Sequence, residues 1–230
     1  MNFSRKSAFL LMLVLLFSFV LALLWNWRLV ERRSTDSRNI ELKRILIHEP
    51  DRWNERRTNE PDLAGIQITG AHFAGLDLSG VDLSAAYFRE VVFTDCTLYR
   101  TILNNSVLER VRFENSNLDS VFIVSARMTR TTFIDSSMVN VVIDGSSLDS
   151  VVFERINFQN TTLGQIKAHD VEIRESDLQF ASFVIPVSLK NFRIVRSNLN
   201  HFKYRFYEDG MDISIIESEP CTGALMQYCK

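Results

Sequence analysis

The chain has 230 residues, 46% of them hydrophobic and 23% charged, with 8 Gly, 4 Pro, 3 Cys and a formal net charge of −2. That apolar share is too high for a disordered chain, and Gly and Pro are too few for a fibrous one. Near-neutral charge argues against a basic nucleic-acid binder, and three cysteines exclude a fold built on disulfides.

Ala8 to Trp25 is an 18-residue run without a charge. As a helix it spans about 27 Å, close to the hydrocarbon thickness of a bilayer. Arg5 and Lys6 precede it, and Trp25, Trp27 and Arg28 suit the headgroup layer behind it. The run predicts a basic tail over 1–7 and a transmembrane helix over 8–27, placing the chain as a single-pass protein of a bacterial inner (plasma) membrane. The alternative is a cleaved signal peptide with a Val20-Leu21-Ala22 site, which releases an exported rod. Cleavage there leaves an apolar stub, Leu23 to Trp27, and the long apolar run favours the anchor. Two features disagree on orientation. Arg28, Arg32, Arg33 and Arg38 follow the span and place the bulk in the cytoplasm by the positive-inside rule. Cys221 and Cys229 lie close together and suit a disulfide in the periplasm.

Residues 28–60 read as a juxtamembrane helix and linker. Leu42, Ile45, Leu46 and Glu49 share a helical face, and Pro50 stops the run. Basic residues outnumber acidic ones by 11 to 7 over residues 1–60. A solvated connector is the expectation for this stretch.

From Leu63 to Phe183 every fifth residue is large and apolar. Leu, Ile, Phe and Met make up 65 of the 230 residues, yet they fill 24 of these 25 positions, Ala168 being the exception. Two residues before each such centre stands an uncharged residue, in most cases small or β-branched, as at Ile66, Ala71, Val81 and Ala86, with Leu76 larger; Cys96 belongs to this series. Two inward positions in five, one large and one small, describe a narrow solenoid that interleaves side chains around its axis.

A second period sets the size of one turn. Phe73, Phe93, Phe113, Phe133 and Phe153 recur every 20 residues. Leu78, Leu98 and Leu118, followed by Met138, Phe158 and Leu178, do the same. Stacked rungs place like side chains above one another, so four pentapeptides close one coil and the five phenylalanines form a core ladder. Six coils at strand spacing make a rod roughly 30 Å long. Gly65, Gly70, Gly75 and Gly80 supply early corners, and Asp95, Asn105, Asn115, Asp135, Asn140 and Gly145 later ones. The register slips by one residue at 184–187. It resumes at Leu189, Ile194, Leu199 and Tyr204, with Val187, Phe192, Ser197 and Phe202 in the small position. The predicted β-helix covers 61–205. The tail over 206–230 has no period and is expected to cap the open edge.

These residues resemble the pentapeptide-repeat proteins, whose repeat is loosely A(D/N)LXX. The stretch Leu76-Asp77-Leu78-Ser79-Gly80-Val81-Asp82-Leu83-Ser84-Ala85 carries the pattern, and Ser116-Asn117-Leu118, Ser176-Asp177-Leu178 and Ser197-Asn198-Leu199 repeat it. The resemblance implies an all-β solenoid, a right-handed quadrilateral β-helix, and no uniform activity. One branch of that family mimics DNA with an acidic rod and binds DNA gyrase. Residues 61–205 carry 16 acidic and 14 basic residues, so this rod lacks the run of negative charge that such a topoisomerase-interacting role needs.

No catalytic motif stands in the chain. His48, His72, His169 and His201 are scattered, and Cys96 reads as a buried thiol. Glu114, Asp119, Asp135 and Glu154 lie among arginines as a mixed-charge surface. The expectation is a protein without enzymatic activity, metal, cofactor, nucleic acid or small-molecule substrate. One outward column is apolar: Ile102, Phe122 and Val142 fall one coil apart, with Val124 beside them. Contiguous exposed apolar residues often mark an interface, the alternatives being β-branched residues that simply suit a sheet surface, or a tail folded over them. The expected role is a membrane-anchored binding or scaffolding module, engaging an unknown protein partner or a second copy through that patch.

Overall fold

The computed structural model describes residues 37–184, 186–205, 211–219 and 229. The chain forms two compact units, Met1–Glu41 and Leu42–Lys230. In the first, residues 37–41 are helical. The predicted membrane span over 8–27 lies outside the described residues. No helix among the described residues is long and apolar enough to cross a membrane.

The second unit is a parallel β-solenoid. Strands are mostly three residues long, with the middle side chain buried and its neighbours turned outward. Up to the register slip each pairs in parallel with the strand 20 residues on, as Phe73↔Phe93, Phe88↔Leu108 and Ile123↔Ile143 show. Four such walls close each turn. Among the described strands, the wall through Phe73, Phe93, Phe113, Phe133, Phe153, Ile173, Ile194 and Ile215 has eight rungs. This is more than the six coils read from the period. Two walls join into one 13-stranded sheet, because strands Lys167–Arg174 and Ser188–Val195 run unbroken around the corner between them. A third wall is the five-stranded sheet that contains Phe122–Val124. The fourth is a line of single bridges from Asp77 to Glu219.

The core is the expected one. Phe93 and Phe113, Phe113 and Phe133, and Phe133 and Phe153 stack with ring centroids 4.9 Å apart and interplanar angles of 5° to 11°. Phe73 is tilted by 40° against Phe93. Each buried centre contributes about 1.5–3 kcal/mol before chain entropy is subtracted. Where the small inward residue is Ser or Thr, it fills a second need. Ser136 Oγ accepts the Ser116 amide at 3.0 Å, and Ser176 Oγ accepts the Ile156 amide at 3.0 Å. Buried amides at the corners are thereby satisfied from the next rung.

The corners explain the D/N of the repeat. Asp62, Asp77, Asp82, Asn117, Asn157, Asp177 and Asn198 each accept the backbone N–H two residues on, at 2.8 to 3.1 Å. The residue at the turn itself holds a positive φ. Gly65, Gly70, Gly75 and Gly80 do so without strain, but Glu90, Arg110, Arg130 and Phe180 adopt the same backbone. An L side chain there costs about 1–2 kcal/mol, which the surrounding ladder has to hold in place.

Three expectations change. Residues 42–57 are not a solvated connector but a cap on the first coil: Leu42, Ile45, Leu46 and Trp53 are buried. Apolar burial and edge hydrogen bonding, neither visible in a charge count, hold them there. Lys43 Nζ donates to Ala64 O at 2.7 Å, Trp53 Nε1 to Asp77 O at 2.7 Å and Asn54 Nδ2 to Gly75 O at 2.9 Å. Arg57 grips Asp77 and Ser79 O. The register slip also differs in detail. Pro186 keeps the inward position, and Val187 is the extra residue, 50% exposed. The Val187 and Ser188 amides both approach Ile166 O, as in a bulge. Finally, the period does not stop at Tyr204. Ile213–Ile216 pairs with Phe192–Val195 at a 21-residue offset, and Ile215 bridges to Cys229. Two coils of 21 residues in succession hid this from a fixed count of five.

Candidate binding surface

Among the described residues, the outward column preceding the centres of the third wall has eight members: Asp62, Asp82, Ile102, Phe122, Val142, Thr162, Ser182 and Lys203. Phe122 is 46% exposed, and Ile102, Val142 and Val124 are half-buried. The structure thus brings together all four residues of the predicted apolar patch. β-pairing fixes their spacing, with Ile102 and Val142 each one rung from Phe122. The column is acidic at one end, apolar in the middle and basic at the other.

Beside its acidic end lies a groove of about 670 Å³ lined by Arg57, Glu60, Asp62, Gly80, Asp82 and Tyr99, reaching Ile102 and Phe122. Gly80 leaves this corner open, its missing side chain bordered only by Glu60. Tyr99, 44% exposed, forms part of the rim. Farther along the same corner column Phe180 and His201 stack, with ring centroids 4.8 Å apart and an interplanar angle of 2°. Sequence reasoning missed this pair. The two residues are separated by 21 positions, and the slip between them concealed the shared column, although an aromatic at a turn slot was a signal.

The remaining candidates are surface or core residues. His72 Nε2 lies 3.0 Å from Thr94 Oγ1, and His169 Nδ1 lies 3.3 Å from Asp149 and 3.2 Å from Asp170. His48 is exposed at a helix end. Burial pushes the Cys96 thiol up, and its Sγ lies 3.3 Å from Thr94 O. Cys229 is disulfide-bonded, whereas Cys221 lies outside the described residues.

The carboxylates are largely engaged on neighbouring rungs. Glu114 instead pairs with Arg112 on its own strand, whereas Asp119 accepts the Ser137 hydroxyl at 2.5 Å and the Val139 amide at 2.8 Å from the next rung. The Arg174 guanidinium, with Arg155 on the other side, holds the Glu154 carboxyl below its ordinary range. Arg155 does the same to Asp135, at 2.5 Å. These exposed contacts are screened, but they cancel charge along the coil.

Residues 66–105 match the family model for pentapeptide repeats, with eight copies of the repeat. Among solved structures the chain is similar to the full-length plasmid-mediated fluoroquinolone resistance protein QnrB1. That match has 12% identity and a TM-score of 0.38, over 71% of this chain and 90% of that one. It is also similar to HetL, a pentapeptide repeat protein involved in heterocyst differentiation regulation from Nostoc sp. strain PCC 7120. There the identity is 15% and the TM-score 0.32, over 71% and 89% of the two chains. A pentapeptide repeat protein of the Arabidopsis thaliana thylakoid lumen matches at 15% identity and TM-score 0.34, over 44% of this chain and 68% of that one. No curated protein matches the sequence.

Proposed function

We propose, for a chain that belongs to the pentapeptide-repeat proteins, a role as a membrane-anchored, non-enzymatic binding module. Its filled core leaves chemistry to the surface, and the third wall is where the surface departs from a mixed-charge pattern. The observation that carries the reading is the exposed Phe122, flanked one rung either side by Ile102 and Val142 on a rigid parallel ladder. A fixed apolar strip of this kind binds a complementary protein face without an ordering cost. The anchor is the apolar run over 8–27, and its flanking charges suit an inner-membrane location.

A DNA-mimicking, topoisomerase-binding role is the alternative raised by the family. The near balance of 16 acidic and 14 basic residues over 61–205 weighs against it, as does the pairing of carboxylates with arginines on adjacent rungs.

The test is Phe122→Asp in the full chain. Complexes recovered by cross-linking and affinity capture from membranes should disappear, while the β-rich circular dichroism and melting temperature stay as they were. Retention of every complex refutes the assignment of this wall. Intact mass of the mature chain separates the anchored form from a cleaved, exported one, and protease protection in spheroplasts fixes its side of the membrane.

A further inference from the structure

We propose that the Phe122 wall packs face to face against the same wall of a second copy of this chain, with the two solenoids antiparallel. This rests on the reading of that wall as a binding face and names the partner.

One outward column of this wall is self-complementary, while in the other the two-fold sets Val124 beside Asp144. The column Asp62, Asp82, Ile102, Phe122, Val142, Thr162, Ser182, Lys203 has its midpoint between Phe122 and Val142. A two-fold axis at that level, lying in the interface and perpendicular to the solenoid axis, sets Phe122 of one copy against Val142 of the other. The same operation sets Asp62 against Lys203, with Arg205 beside it on the same strand. Among the described residues none of Asp62, Asp82, Lys203 and Arg205 is ion-paired within its own chain. Opposite charges at the two ends with an apolar centre are what an isologous antiparallel contact needs. A parallel pair instead places Asp62 and Asp82 against their own copies.

The adjoining corner column obeys the same symmetry. Its turn residues, all at positive φ, include Glu60, Gly80, Arg100 and Ser120 in one half and Phe180 and His201 in the other. The axis sets Gly80 opposite Phe180 and Glu60 opposite His201. Gly80 and Glu60 line the groove of about 670 Å³, and Phe180 and His201 are the stacked, outward rings. A knob therefore meets a hole twice, once in each direction. Phe180 is 46% exposed, an unfavourable surface for a lone rod and a suitable anchor for a pocket.

The experiment uses the full chain in a non-ionic detergent. Sedimentation equilibrium should give a dimer, weakened by at least about 30-fold in Phe122→Asp and in Phe180→Ser. Asp62→Lys with Asp82→Lys should weaken it as well, and adding Lys203→Glu with Arg205→Glu should restore it, which a misfolded variant could not do. A zero-length carboxyl–amine cross-linker should join Asp62 to Lys203. Within one chain these lie seven rungs apart, about 34 Å, so that link is intermolecular. A monomer at all concentrations overturns the proposal, as does a dimer without this link or one indifferent to Phe180→Ser. If the chain is monomeric but Phe122→Asp still releases another protein, the second copy is refuted while the binding face stands. If Phe122→Asp changes neither, both readings fall.

Discussion

The Trp53 indole, fully buried, donates through Nε1 to the backbone carbonyl of Asp77 at 2.7 Å, tying a residue outside the repeat to the first coil. A solenoid's terminal rung exposes unpaired backbone groups, and this contact covers some of them. Trp53→Ala is expected to destabilise the fold by about 3–5 kcal/mol, and Trp53→Phe by about 1–3, the latter chiefly through the orphaned carbonyl. Chemical denaturation measures both. Hydrogen exchange should show the first coil, around Ile68 and Phe73, opening before the middle of the ladder.

Phe113 sits between two stacked neighbours at 4.9 Å on either side. Phe113→Ala should lower stability by about 3–5 kcal/mol and Phe113→Leu by less, since leucine fills the same slot on other walls. Thermal and denaturant unfolding provide the comparison. An alanine variant as stable as the parent would show the bore to be loosely packed.

Ser176 accepts the Ile156 amide at 3.0 Å and donates to Arg174 O at 2.8 Å. Ser176→Ala nearly keeps the volume but leaves a buried N–H without its acceptor. The expected loss is about 1–3 kcal/mol. In contrast, Val151→Ala, also inward and also small, is expected to act through lost methyl groups alone. Amide exchange at Ile156 distinguishes the two mechanisms.

Glu154 lies between Arg174 and Arg155, and the hydrogen bond from Arg174 keeps its carboxyl below the ordinary range despite partial desolvation. Asp135 is lowered in the same way by Arg155. A carboxyl with a folded pKa below its unfolded one stabilises the fold above about pH 4.3. That contribution is lost as pH falls through the lower folded value. Melting temperature should therefore be flat near neutrality and fall below about pH 4, and the fall should be shallower in Glu154→Gln. Melts across this range provide the check.

Most of the solenoid was legible because the two periods, five and twenty, act on every residue. Phe73 to Phe153 announce their stack by position alone, and Ile102, Phe122 and Val142 follow by subtraction of 20. What failed did so where the period is broken by one. Val187 faces solvent because proline at 186 fits the buried corner and carries no N–H to lose, which a count of spacings does not weigh. Ile213 and Ile215 were invisible since two successive 21-residue coils move them off the grid. Trp53 belongs to no period, and its role depends on which backbone groups the first coil leaves open.

The one-for-one stacking of rungs makes length a quantised property. Removing residues 121–140, one full circuit, would bring Ser120 to Val141 and leave each later side chain on its original wall. Removing five would carry every downstream residue to the neighbouring wall, and removing one would turn buried chains outward unless a bulge such as Val187 absorbed the change. A chain of this kind can therefore lengthen or shorten by whole circuits without scrambling its surfaces.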